Sequence, residues 1–261
     1  MADGAPLVLH SQDGAIARLT LNRPAAGNSL SMGLVAALHA ELDRLASRPE
    51  IKVIVLSGMG GRIFSAGHDL NEFAGNPDEE FLARDFAGIA AVMQAIVAQP
   101  QIVIAKVEGV ATAAGLELVA ACDLALASTE ARFAVPGVNI GFWCHTPQVL
   151  LSRTVGRKQA LEMLVTGKLH PADHALRIGL VNALHPPDAL DAAVDALCAT
   201  IVSKAGSVLR RGKQSFNRQA TMPLAQAYDY VRGEALENVL DPDAREGIAA
   251  FLEKRPPHWQ E

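Results

Sequence analysis

Two short apolar runs, "PLVLH" and "AIARLTLN", open the chain on either side of "SQDG". Both are rich in β-forming residues and the stretch between them is a turn signal, so the pattern predicts a hairpin. The period then lengthens. In "SMGLVAALHAELDRLAS" Leu34, Leu38 and Leu42 fall four apart on one face, with Ser31 where an N-cap belongs, which predicts an amphipathic helix. "IKVIVLSG", from Ile51 to Gly58, is an apolar, β-branched run ending in glycine, as expected of a strand covered on both faces. "QIVIAKVEG" and "DLALAS" repeat that character, each after helical sequence around "LARDFAGIAAVMQAIVAQ" and "AAGLELVAAC". Strands alternating with helices imply an α/β core with right-handed crossovers, in which Ile51–Ser57 and Ile102–Val107 lie side by side in one sheet.

After Pro147 the pattern becomes helix after helix with charged faces: "GRKQALEMLVTG", "HPADHALRIG", "PDALDAAVDALCATIVSKA", "MPLAQAYDYVRGEALENVL" and "DAREGIAAFLEKR". No linker intervenes. Residues 1–200 are expected to form the α/β core and 201–261 a C-terminal helical region, which could close as a lid or reach a neighbouring subunit; the pattern leaves both open. The most apolar long stretch, Gly109 to Ser128, contains two acids, which a lipid interior would have to desolvate. It is expected to be a core segment, and no membrane partner is implied.

With 261 residues, half of them hydrophobic and 20% charged, the chain can bury a large core, which excludes disordered and fibrous classes. The net charge of −5 comes without a basic stripe, so nucleic acid is not an expected partner. Cys122, Cys144 and Cys198 are odd in number and lack CxxC spacing, which argues against a disulfide framework or structural zinc and for a reducing cytoplasm. "MADGAPLVLHSQDG" has no basic region followed by an apolar run, so no secretory leader is expected there.

Several chemistries fail on their motifs. "SGMGGRIFSAG" is glycine-rich but has neither G-K-[ST] nor the G-x-G-x-x-G dinucleotide turn. Ser65 has Ile63 where a nucleophile elbow needs glycine. His170 and His174 are four apart, but Pro171 and "PAD" mark a helix start and no third ligand is near.

Two stretches remain. In "ATAAGLELVAACD" Glu117 is flanked by Leu116, Leu118 and Val119, so a helix would carry its carboxylate into the core, where a charge is costly unless paired or used. Ala113, Ala114 and Gly115 let backbone approach a ligand, and amides at a helix N-terminus favour negative charge. An acid beside free amides suggests enolate chemistry; pairing of Glu117 with an arginine as structural glue remains equally open. In "FSAGHDLNEF" a buried strand ends in a sharp turn before a polar loop, which would present N–H groups at the carboxyl end of the strand. His68 alone reads as an ordinary polar turn residue.

These segments resemble the crotonase, or enoyl-CoA hydratase/isomerase, superfamily. The resemblance runs almost end to end, through "AIARLTLNRPAAGNSLS", "FSAGHDLNE", "ATAAGLELVAACD", "RFAVPGVNIG", "LEMLVTGKLHPADHALRIGLVN" and "FLEKRPP". It implies a spiral of ββα repeats with a C-terminal helical region, a homotrimer or dimer of trimers, and an acyl-CoA thioester as substrate. Coenzyme A would be part of that substrate, with no resident cofactor or metal. The resemblance places an oxyanion hole at the backbone N–H groups of His68 and Ala114 and the first family glutamate at Glu117. It places the coenzyme A path along Ala26, Gly27, Ala66, His68, Asp69, Leu70 and Ala114, with Phe251 and Lys254 reaching the nucleotide, often across a subunit boundary.

The second family glutamate should follow twenty positions after Glu117, where this chain has Gly137 in "VPGVN". Three readings follow. The first is hydratase or isomerase chemistry, with Glu117 moving the proton. The second is a decarboxylase, because "FSAGHD" is also similar to methylmalonyl-CoA decarboxylases, in which the turn histidine faces the leaving carboxylate. The third is an acyl-CoA binder that has lost useful catalysis. The place of the second acid is expected to be left open beside Gly137 for a water, an anion or part of the substrate, in a space shaped by Trp143, Cys144 and His145.

Overall fold

The computed structural model describes residues 5–75 and 78–260; Met1–Gly4, the start of the stretch read above as lacking a leader, lie outside it. The predicted hairpin forms from β1 (Val8–Asp13) and β2 (Ile16–Leu21), paired antiparallel. "SQD" belongs to the first strand rather than the turn, which shrinks to Gly14, at φ 53°, and Ala15. α1 (Met32–Ala46) follows, and the Ser31 side chain accepts from Leu34 N–H as a cap should. Leu34, Leu38 and Leu42 are buried on the predicted face.

From there the chain alternates between two sheets. β3 (Val53–Gly58) enters the long sheet and β4 (Ile63–Ser65) a short one, before α2 (Leu70–Gly75) and α3 (Glu79–Ala98). β5 (Ile102–Val107) and β6 (Val110–Thr112) repeat this, followed by α4 (Ala114–Ala121). β7 (Leu124–Ser128) and β8 (Arg132–Ala134) do so again, followed by α5 (Pro147–Thr154) and α6 (Arg157–Thr166). β9 (His170–Pro171), α7 (Ala172–Arg177) and β10 (Ala183–His185) complete both sheets. The long sheet runs β1-β2-β3-β5-β7-β10 and the short one β4-β6-β8-β9. β3 pairs parallel with β5, as Val53 opposite Ile102 shows. This is the ββα spiral that the resemblance implies, with each turn of chain adding one strand to each sheet.

"IKVIVLSG" is apolar throughout because both faces of β3 are covered. Ile54 and Leu56 join the main core with α1, α3 and α4, whereas Val53 and Val55 pack with Leu190, Val194 and Cys198 of α8 (Leu190–Val202). α3 is long and apolar enough to cross a membrane by length and composition. Its Ile89, Val92, Met93 and Ile96 are buried in the core of this chain.

α9 (Gly206–Gln219) is absent from the sequence pattern, because "LRRGKQSFNRQ" shows no apolar stripe. What anchors it is polar. Lys213 is buried, 2.7 Å from Asp123, and donates to the carbonyls of Ile96 and Gln101. α10 (Leu224–Leu240) and α11 (Pro242–Glu253) pack on α9 and on each other. They leave Leu224, Tyr228, Leu236 and Phe251 exposed.

Candidate active site

The "SAG" turn at the end of β4 lies against the start of α4. A Cβ on Gly67 would sit 2.8 Å from Ala113 Cβ and 3.0 Å from Ala114 N, and one on Gly115 would be 2.2 Å from the Ser65 carbonyl oxygen. Gly67 also has φ 86°, so only glycine meets both the conformation and the approach. Thr112 Oγ1 donates to the Ala66 carbonyl and ties the two segments together.

Most amides of these segments are used internally. Ala66 N–H donates to Gly27 O, Gly67 N–H to Ser65 Oγ, and Leu116 and Glu117 N–H to Ala113 O. The N–H groups of His68 and Ala114 donate to no protein acceptor among the described residues. They are two free donors on adjoining segments, the second at a helix N-terminus, where the dipole adds to its pull on an anion.

Ala113, just before α4, holds φ 51° and ψ −124°, a conformation that suits glycine and strains alanine by roughly 1–3 kcal/mol. Ala113→Gly is therefore expected to stabilise the protein by about 1 kcal/mol, a rise of roughly 2–4 °C in Tm by calorimetry. A Tm unchanged or lowered would show that the strain is not released.

Glu117 lies one turn into α4 and is 3% exposed. Among the described residues no arginine pairs with it, so the structural-glue alternative is not what this fold does. Its Oε2 is buried without a hydrogen-bond partner, and so is Thr146 Oγ1. Thr146 stands near enough to favour the charged carboxylate but is not aligned as a hydrogen bond; burial dominates and lifts Glu117 to about 7. A carboxyl poised there can give or take a proton at neutral pH.

A cavity of about 230 Å³ opens against His68, Ala113 and Thr146, whereas Glu117 and Ala114 lie behind its wall and are not among the lining residues. Ala66, His68 and Leu70 line it from the turn and α2, Ala113 from the residue before α4, and Phe86 from α3. Pro136, Gly137, Ile140, Phe142, Cys144, His145 and Thr146 close the far side. Gly137 lines the cavity, but the place expected to be left open beside it is filled in the direction a side chain would take. A Cβ there would lie 2.2 Å from the Phe142 carbonyl oxygen and 2.9 Å from Cys144 Sγ. The chain has thus packed protein where the second family acid would project. Trp143 turns away from that role, donating from Nε1 to Gln148.

The remaining predicted residues divide. Ala26 and Gly27 sit in a short 3-10 turn whose end packs on Ala66, beside the cavity mouth. Asp69 is buried, and its carboxylate is occupied by Arg23 at 2.9 Å and by Ser29 Oγ, so its side chain locks the two loops together. Leu70 is half exposed on the cavity wall. Phe251 and Lys254 are exposed near the end of α11 and are not among the cavity-lining residues of this chain. Lys254 terminates α11 in a left-handed conformation, its N–H returning to Phe251 O.

His68 departs from its reading as an ordinary turn residue. Its side chain is 8% exposed, with Phe73 and Phe86 around the ring. Asp85 was not singled out by the sequence. The signal for it was present: it falls four positions before Ile89, on the apolar stripe of "LARDFAGIAAVMQAIV".

The family model described as enoyl-CoA hydratase/isomerase matches residues 11–261. The chain is 40% identical over 257 residues to enoyl-CoA hydratase domain-containing protein 3, mitochondrial, of Danio rerio, covering 98% of this chain and 89% of that one. It is 32% identical to a carnitinyl-CoA dehydratase of Citrobacter koseri, over 96% of this chain and 97% of that one. Among solved structures, an enoyl-CoA hydratase from Mycobacterium smegmatis superimposes with a TM-score of 0.96 at 46% identity, covering 98% of this chain and 99% of that one.

Proposed function

The chain belongs to the enoyl-CoA hydratase/isomerase family, and from that premise we propose that it is an enzyme acting on an acyl-CoA thioester through an enolate held by the His68 and Ala114 amides. One observation carries this reading. Glu117 is a buried carboxyl with no cationic partner among the described residues, raised to about 7, on the helix whose first turn supplies one free amide and touches the segment supplying the other. The thioester oxygen accepts from both N–H groups as charge develops on it, and donors preorganised for that charge lower the barrier. Glu117 moves the proton at the α carbon. The apolar wall of Phe86, Ile140 and Phe142 takes the acyl chain and keeps bulk water from the enolate.

A second reading has its own observation. Among the described residues no lysine or arginine lines the cavity, so a substrate carboxylate beside Phe86 and Phe142 would be desolvated without a counter-charge, which favours its loss as carbon dioxide. Purified protein should be assayed against crotonyl-CoA, a 3-enoyl-CoA and methylmalonyl-CoA. Hydration or double-bond migration supports the first reading, and carbon dioxide release dependent on the His68 side chain the second. Tight coenzyme A binding without turnover of any thioester would make the protein a binder and overturn both. The exposed apolar face of α10 and α11 fits a further copy of the chain, and we propose a trimer or dimer of trimers, measurable by sedimentation.

A further inference from the structure

Asp85 is a buried acid to which the reaction above assigns no task. It is 2% exposed on the core-facing stripe of α3. Its Oδ2 lies 3.4 Å from His68 Nε2. Both atoms are sealed from solvent, and neither has an aligned hydrogen-bond partner. An unsatisfied buried carboxylate oxygen is costly, and the group facing it is a ring nitrogen able to donate. Phe73 and Phe86 confine that ring, with centroids 5.3 and 5.5 Å away. His68 itself lines the cavity. Catalytic hydrogen bonds are often long before substrate binds and tighten in the complex.

We propose that Asp85 is a positioning residue that holds His68 in its Nε2–H tautomer, leaving Nδ1 as the second proton-transfer group of the site. The inference rests on the hydratase reading. It also answers the packing at Gly137, where the Phe142 backbone and Cys144 leave no room for a second carboxylate.

The protonation states fit that division, with the Asp85 charge needed to strengthen His68, which burial alone leaves a weak base. Burial lowers His68 to about 4, so at pH 7 the ring is a neutral base. Burial and the Glu72 charge raise Asp85 to about 6, so at pH 7 it is mostly ionised. Glu117, raised to about 7, is in large part the carboxylic acid. The remaining titratable groups on the cavity wall are Cys144, whose thiol burial pushes up, and His145 on the exposed rim. Environments that drive paired groups apart in this way separate an acid from a base.

In hydration of an enoyl thioester, water loses a proton to His68 Nδ1 as its oxygen bonds to the β carbon. The π electrons move to the thioester oxygen, held by the His68 and Ala114 amides. Glu117 then gives its proton to the α carbon and the carbonyl re-forms. The imidazolium, stabilised by the Asp85 carboxylate, returns its proton through solvent, and Glu117 regains one.

The test combines nitrogen-15 NMR of the His68 ring with kinetics on crotonyl-CoA. Wild type is expected to show the Nε2–H tautomer. Asp85→Asn is expected to lower kcat about 10- to 100-fold with little change in KM, and to abolish the fall in rate expected of wild type below about pH 6. His68→Gln is expected to lose about 100-fold, and the double variant no more than that, because the two residues act as a unit. A structural role for Asp85 would instead multiply the two losses and leave the pH profile in place. Those results, or an Nδ1–H tautomer in a wild type that hydrates crotonyl-CoA, would overturn the proposal. Absence of hydration by wild type with the Nε2–H tautomer present would count against the hydratase reading, not the pairing.

Discussion

Replacing Glu117 by Gln is expected to cut turnover by about 10²- to 10⁴-fold while coenzyme A affinity stays near wild type, because it removes the proton-transfer group and leaves the amides of His68 and Ala114 in place. The same change is expected to raise stability at alkaline pH. Burial lifts Glu117 from 4.5 to about 7, so the folded chain binds this proton more tightly than the unfolded one. The sign follows from that difference: its penalty is absent below about pH 4.5, grows as pH rises, and is complete above about pH 7. At pH 8 the shift corresponds to about 3 kcal/mol of strain on the fold. Gln carries no charge, so part of that is recovered. Thermal unfolding at pH 5 and pH 8 checks this: the Gln variant should gain in Tm at pH 8 and much less at pH 5. Equal Tm differences at the two values would mean that Glu117 is not held as a raised, unpaired carboxyl. Undiminished turnover would remove it from the mechanism.

Placing an acid at position 137 with Gly137→Glu, where the resemblance implies a second glutamate, is expected to damage the protein rather than to accelerate it. The first side-chain atom would meet the Phe142 carbonyl oxygen at 2.2 Å and Cys144 Sγ at 2.9 Å. Backbone oxygen cannot swing aside as a flexible side chain can. Phe142 N–H also donates back to Gly137 O, so relieving the clash breaks the turn that shapes the cavity wall. Overpacking of this kind costs about 1–3 kcal/mol per site or more, and here a buried charge is added. Gly137→Ala isolates the steric part and should lower Tm by several degrees, while Gly137→Glu should lower it further or yield insoluble protein. A soluble Gly137→Glu variant with wild-type Tm and faster hydration would show that the site is an empty place for a second acid. The double variant Gly137→Glu, Cys144→Ala tests which contact matters: it removes the sulfur but not the carbonyl oxygen, so little recovery is expected.

Some of this protein was decided by local pattern. The hairpin, α1 with its Ser31 cap, and the buried strands β3, β5 and β7 follow from period and punctuation, because one residue's environment there repeats along the segment. Glu117 was legible for a related reason: an acid inside "GLELVA" has nowhere to go but inward, whatever packs over it. Among the short strands, β4 was legible through the sharp turn that ends it, but β6 and the pairing of β4, β6 and β8 were not. At three residues each they are too brief to show a period, and their pairing joins segments tens of residues apart. α9 was hidden because a buried lysine, not an apolar stripe, fixes it.

The deepest division lies within the site. Sequence by itself pointed to the burial of Glu117, though not of Asp85, and determined where a glycine-bearing turn falls and that no acid stands at position 137. Only the tertiary structure decided that Glu117 has no cationic partner among the described residues, that the amides of His68 and Ala114 donate to no acceptor among them, and that Cys144 and the Phe142 backbone block the direction of a side chain at position 137. It alone brought Asp85 to His68, from a helix that begins eleven residues after that histidine. A residue's burial is written into its neighbours along the chain, whereas its partner is set by which distant element the fold lays against it.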